Sequence, residues 1–183
     1  ADLSPRVTIE LEGAEAVTQD RLLNVYVAAR IDTIIESIDP TITWNLPAVF
    51  KIKNMNGAGP VTFVDTLIFP FDDASLSTSA AQNSRLNRSS GTNYEKVNIT
   101  GLSILADNTL YVTRTGPFNE TSQVAAPDNT VLEFHRIVEN GVKTDKMRNV
   151  RQIRSLSPNV PSLRSAIGLS GITTFVAPPQ RDT

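Results

Sequence analysis

The side chains able to do chemistry are few, and their spacing limits what they could do. The chain has one histidine and no cysteine, which removes disulfide frameworks, thiolate nucleophiles and metal sites built on Cys or clustered His. His135 alternates with Phe134 and Arg136 in Val131-Leu-Glu-Phe-His-Arg136. A general base needs a partner to aim its ring and a nucleophile within reach, and no Gly-x-Ser-x-Gly elbow supplies one. His135 is therefore expected on a strand surface. Trp44, the only tryptophan, sits in Asp39-Pro-Thr-Ile-Thr-Trp-Asn45, which is expected to be a connection between strands. There it would be tucked over a sheet edge or serve as an anchor for a partner or sugar ring. Arg30 and Arg114 follow two similar apolar triplets and are expected near one rim, so Trp44, Arg30 and Arg114 are the candidate binding residues. Lys143, Lys146, Arg148, Arg151 and Arg154 form the one basic cluster. Its charge would protect an outer strand from edge pairing or receive an acidic partner.

These residues hang on short β-strands. Apolar residues make up 40% and charged residues 20% of 183 positions, as in an ordinary folded domain. The net charge of −2 offers no basic field for a phosphate backbone, so nucleic acid is not an expected partner. No apolar run approaches the roughly 20 residues of a membrane helix. β-Branched and aromatic residues dominate the periodic segments, and no helical stripe persists for three turns. Strands are expected near 5–11, 23–31, 47–54, 61–70, 97–105, 109–114, 130–138, 148–156 and 171–177. Segments 14–23 and 30–38 could be argued as short helices, but the β-branched residues Ile31, Thr33, Ile34 and Ile35 favour strand. Residues 72–96 are polar, Ser/Asn-rich and without strand pattern, and are expected to form a long loop insertion.

Leu102-Ser-Ile-Leu-Ala-Asp-Asn-Thr-Leu-Tyr-Val112 reads as strand, two-residue Asp107-Asn108 turn, strand. The triplet Leu110-Tyr111-Val112 has counterparts at Val25-Tyr26-Val27 and Thr174-Phe175-Val176. After the first two come a gap, another strand and an Asn/Gly turn, Asn54-Met-Asn-Gly57 or Glu139-Asn-Gly141. The unit therefore repeats.

Val97-Asn-Ile-Thr-Gly101-Leu-Ser-Ile104, the Asp-Asn turn and Leu-Tyr-Val together resemble one blade of an NHL-type, six-bladed β-propeller. The resemblance implies that 97–105, 109–114, 130–138 and 148–156 are strands a to d of one blade. Residues 23–70 would supply strands b to d of the preceding blade, and 163–177 would open the next. About two and a half blades do not close a ring, which needs about four or more, so a longer chain or other protein subunits are the expected complement. The alternative is a β-sandwich. The insertions look similar to those of propeller lipoproteins on bacterial surfaces, implying an extracytoplasmic, non-enzymatic interaction or scaffold module. Resemblance to lactonase-like propellers would instead imply a calcium-dependent hydrolase, with Asn98, Asp107 and Asn108 as ligands by position. A sandwich would imply glycan binding at Trp44. Asn87, Asn98 and Asn119 open Asn-x-Ser/Thr triplets that could accept glycans in a secreted protein.

Overall fold

The computed structural model describes residues 8–57, 59–73, 76, 78–89, 93–115 and 130–153. These form two antiparallel four-stranded meanders. Strands β1 (Ala16–Gln19), β2 (Val25–Ile35), β3 (Asp39–Lys53) and β4 (Thr62–Ile68) make the first sheet in sequence order. Strands β5 (Asn98–Ile104), β6 (Leu110–Thr115), β7 (Thr130–Glu139) and β8 (Val142–Ile153) make the second. The chain is thus all-β, as its residue types require. The run Ile31-Asp-Thr-Ile-Ile35 is strand, the β-branched side chains prevailing over the helical spacing.

Several boundaries differ from those expected. The segment 8–11 is not strand, β1 occupies part of the ambiguous segment 14–23, and β3 begins at Asp39 instead of residue 47. Thr41-Ile-Thr43 simply continues the alternation of β3 backwards. The expected strand at 171–177, and with it Thr174-Phe175-Val176, lies outside the described residues.

Face-to-face packing of the sheets makes the main core. Tyr26, Ala28, Val49, Leu67 and Phe69 from one side meet Ile99, Leu102, Leu110, Val112, Leu132, Phe134 and Met147 from the other. Phe69 and Phe134 meet edge-on, with ring centres 6.0 Å apart. Each large apolar side chain withdrawn there contributes about 1.5–3 kcal/mol. β1 lies against β5 and β4 against β8, so first strands adjoin first strands and last adjoin last.

The repeat is visible in the turns. Asp20 N–H donates to Asn24 O at 3.0 Å and Leu23 N–H to Asp20 O at 3.0 Å. In the second sheet Leu105 N–H donates to Thr109 O at 2.9 Å and Asn108 N–H to Leu105 O at 3.0 Å. Leu23 (φ 65°) and Asn108 (φ 69°) occupy the same left-handed position. The second turn is a three-residue loop, Ala106 to Asn108, and not the two-residue form, because only Asn108 has positive φ where a type I′ turn needs two such residues.

Matching the turns aligns two four-residue rungs, Thr18–Tyr26–Lys51–Asp65 and Ser103–Tyr111–Glu133–Arg151. Small hydroxyl, tyrosine and a charge pair recur, with the charge order reversed. Tyr26 is buried against the second sheet. Tyr111 alternates with Leu110 and Val112, which face the first sheet, so it belongs to the far face. Equivalent residues therefore point the same way along the stack instead of toward each other.

Candidate functional site

The two ends of the sheets carry different chemistry. At the loop end, residues 72–96 are not structureless: a short helix, α1 (Ser79–Ser84), and a 3-10 turn at Tyr94–Lys96 interrupt them. Thr78 and Asn93 cap these pieces by accepting from the Ala81 and Glu95 amides at 3.1 and 2.8 Å. Leu86 and Tyr94 sink into the core between the sheets and pin the segment down.

The expected binding residues have structural surroundings. Arg30 Nη1 donates to Val97 O at 3.1 Å and Asn98 Oδ1 at 3.0 Å; Nη2 donates to Asn45 O at 2.6 Å and Glu95 O at 2.9 Å. Its Nε donates to Asn45 Oδ1, so all three nitrogens are engaged. Burial lowers the Arg30 pKa, against the opposing pull of Glu15, Glu12, Glu95 and Asp32. Arg114 is 1% exposed and pairs with the buried Asp73, while its Nη1 also reaches the Tyr94 hydroxyl. Tyr94 Oη in turn donates to Asp73 Oδ2 at 2.6 Å. Both arginines close on the 93–98 segment, Arg30 through its main chain and Arg114 from the core.

Trp44 lies on β3 and not on a connecting loop, opposite Thr33, and is 3% exposed. The Arg88 guanidinium sits 4.7 Å from its ring centre. Arg88 grips Glu95 with two bonds, 2.7 and 2.8 Å, and the Thr43 carbonyl at 2.9 Å. The indole is thus built into the wall, not displayed to a sugar. The residues suggested as calcium ligands are dispersed. Asn98 opens β5 and accepts from Arg30, whereas Asp107 and Asn108 lie beyond its other end, where Asp107 accepts the Thr109 amide at 2.9 Å. Among the described residues, no cluster of three or more His, Asp or Glu is arranged to hold a metal. His135 is exposed on β7 and bonds Glu133 at 2.8 Å, the strand-surface position expected of it.

The turn end holds the more open arrangement. A cleft of about 560 Å³ runs between the sheets, lined by Leu22, Leu23 and Asn24 from the first turn, Lys53, Asn54 and Asn56, and Arg136, Lys143 and Asp145 from the β7–β8 hairpin. Asp145 is its electrostatic centre. Lys51 Nζ donates to Asp145 Oδ1 and to its carbonyl, both at 3.1 Å, and Lys53 Nζ takes Oδ2. Arg136 Nη2 stands 3.6 Å from Oδ1. Arg136 is itself fixed by the Thr144 carbonyl at 2.6 Å and the Lys143 carbonyl at 3.3 Å. Partial burial alone would raise the Asp145 pKa, but the hydrogen bonds from Lys53 and Lys51 hold it below the ordinary carboxylate value. Burial pulls the Lys51 pKa down, opposed by Asp145. Nearby, Asp65 Oδ2 accepts the Met147 amide at 2.8 Å, a further bond between the first sheet and β8.

Of the basic cluster on β8, Lys143 reaches this cleft and Arg151 pairs with Glu133. Arg154 lies outside the described residues. Lys51, Lys53, Arg136 and Asp145 carry no mark of a site in the sequence, because they come from two sheets and meet only once the sheets stack. No protein-family model, curated protein or solved structure matches the chain.

Proposed function

We propose that the chain is a β-propeller-type repeat module, of the NHL-like kind its blade motif resembles, that works by binding partners and not by catalysis. The observation that carries this reading is the same-sense repetition of the two sheets. Tyr26 faces the neighbouring sheet, and its counterpart Tyr111 faces onward. A sandwich made of two facing halves would turn both inward, whereas blades around a ring present one face to the sheet before and the other to the sheet after. The meander order and the adjacency of β1 with β5 and β4 with β8 fit the same arrangement. Completion of the ring by further protein subunits or further blades makes the module a scaffold. Exposed Asn87 and Asn98 suit an extracytoplasmic setting. Negative-stain electron microscopy with sedimentation velocity tests the reading. Ring-shaped particles in which such sheets surround a channel are expected; a stable, isolated two-sheet monomer would overturn it.

A further inference from the structure

The turn-end cleft has features that folding does not require. Lys53, Arg136 and Lys143 line it together with Asp145, Lys51 bonds that carboxylate, and two further carboxylates, Asp20 and Asp65, act on Lys51 electrostatically. Two of the three are turned to the main chain: Asp20 accepts the Leu22 and Asn24 amides at 2.9 Å each, and Asp65 accepts that of Met147. Asp145 alone serves Lys51, Lys53 and Arg136. Among the residues that line the cleft, Lys53, Arg136 and Lys143 outnumber Asp145, and this positive excess attracts an anion entering it.

One wall is apolar and open. Leu22 is 66% exposed and Leu23 46%. Leu23 also occupies a left-handed backbone conformation, φ 65°, which disfavours a bulky side chain. The equivalent position in the second sheet is Asn108, a residue suited to that conformation. Strain accepted at an exposed turn, where the leucine stays outside the core, marks a side chain kept for what it meets outside.

We propose that this cleft is the docking site for an acidic peptide segment of a partner protein, with Asp or Glu carboxylates set beside aliphatic residues. Lys53, Lys143 and Arg136 take the carboxylates, and Leu22 and Leu23 take the aliphatic side chains. Asp145 pairs with Lys53 and Arg136 and competes with the peptide for them. The inference rests on the binding-module reading and names the partner's chemistry within it. The cleft is complete within one chain, so peptide binding and ring assembly fail separately.

Fluorescence anisotropy of the full chain with a pool of short labelled peptides alternating Glu with Leu tests this directly. The Gln-for-Glu pool and the Ser-for-Leu pool serve as controls. Saturable binding of the Glu-Leu pool is expected, weakening as salt rises. Lys143→Glu should weaken it by about tenfold or more, and Leu22→Ser by about fivefold, with thermal unfolding unchanged for both. Absence of binding by the Glu-Leu pool, equal binding of either control pool, or insensitivity to both substitutions would overturn the proposal. Binding to phosphatidylserine vesicles that Lys143→Glu abolishes, with no peptide bound, would overturn it in favour of a membrane surface.

Discussion

The loop end and the turn end both gather arginines and lysines, yet they solve opposite problems. At the loop end three arginines are matched. Arg30 is committed to main-chain carbonyls, Arg88 to both oxygens of Glu95, and Arg114 to Asp73 and Tyr94 in the core. At the turn end one carboxylate, Asp145, is shared among three cations and faces a cleft. The first arrangement fastens a long connection to the sheets, and the second leaves positive charge unmatched. Charge in a sequence becomes a site only where burial and acceptor supply leave it unbalanced.

The sharpest way to break this contrast is at Arg114. Truncating one member of a fully buried pair strands the other charge, at about 3–5 kcal/mol. Arg114→Ala should therefore lower stability by that amount in urea unfolding, and the joint change Arg114→Met with Asp73→Leu should recover much of it. A loss below about 1 kcal/mol for Arg114→Ala would mean that the loop end is not the fastened end. Next in size is Arg30→Lys, because an ammonium cannot span the acceptors on β3 and on the 93–98 segment. We expect a cost of about 2 kcal/mol in the same measurement, with turn-end peptide binding intact.

What is legible in the sequence follows the range of the interactions. β2, β5, β6 and β7, and the left-handed Asn108, are readable because alternation and turn chemistry act over a few residues. β1 is four residues of mixed type, Ala16–Gln19, with no comparable pattern. Trp44 reads as a loop residue because Pro40 masks a strand that continues through it. Asp73, Tyr94 and Arg114 lie far apart in the chain, so no local signal announces their pairing. The cleft is legible only in part. Lys143 stands out in a cluster on β8, but its companions Lys51 and Lys53 belong to the other sheet, and only the stacking register brings them to Asp145.

Asp145 allows the contrast to be sharpened by pH. Its folded pKa lies below the ordinary value near 3.9. Its contribution is therefore complete above that value and disappears as pH falls through the lower folded one. Asp145→Asn should cost about 1 kcal/mol at neutral pH, a modest figure because the side chain is 30% exposed, and nothing by about pH 2. Burial raises the pKa of Asp65 and Asp72, so their ionisation opposes folding and acid relieves it. The substitution thus isolates Asp145 from a background moving the other way. It should also tighten Glu-Leu peptide binding by removing the internal competitor for Lys53 and Arg136. Weaker binding would show that Asp145 positions those cations more than it competes for them.

The smallest expected effect is at Leu23, and it bears most directly on why the two turns differ. Leu23 and Asn108 share one backbone conformation, but only Asn suits it. Leu23→Asn should raise stability by about 0.5–1 kcal/mol in urea unfolding by relieving that strain. The reciprocal Asn108→Leu should lower stability by a similar amount. If the cleft holds aliphatic side chains of a ligand, Leu23→Asn should at the same time weaken peptide binding several-fold, whereas Asn108→Leu should leave it untouched. Opposite signs for stability and binding at one turn, with no binding effect at its twin, would separate a residue kept for recognition from one kept for folding. A gain in stability with unchanged binding would instead assign the apolar wall to Leu22 alone.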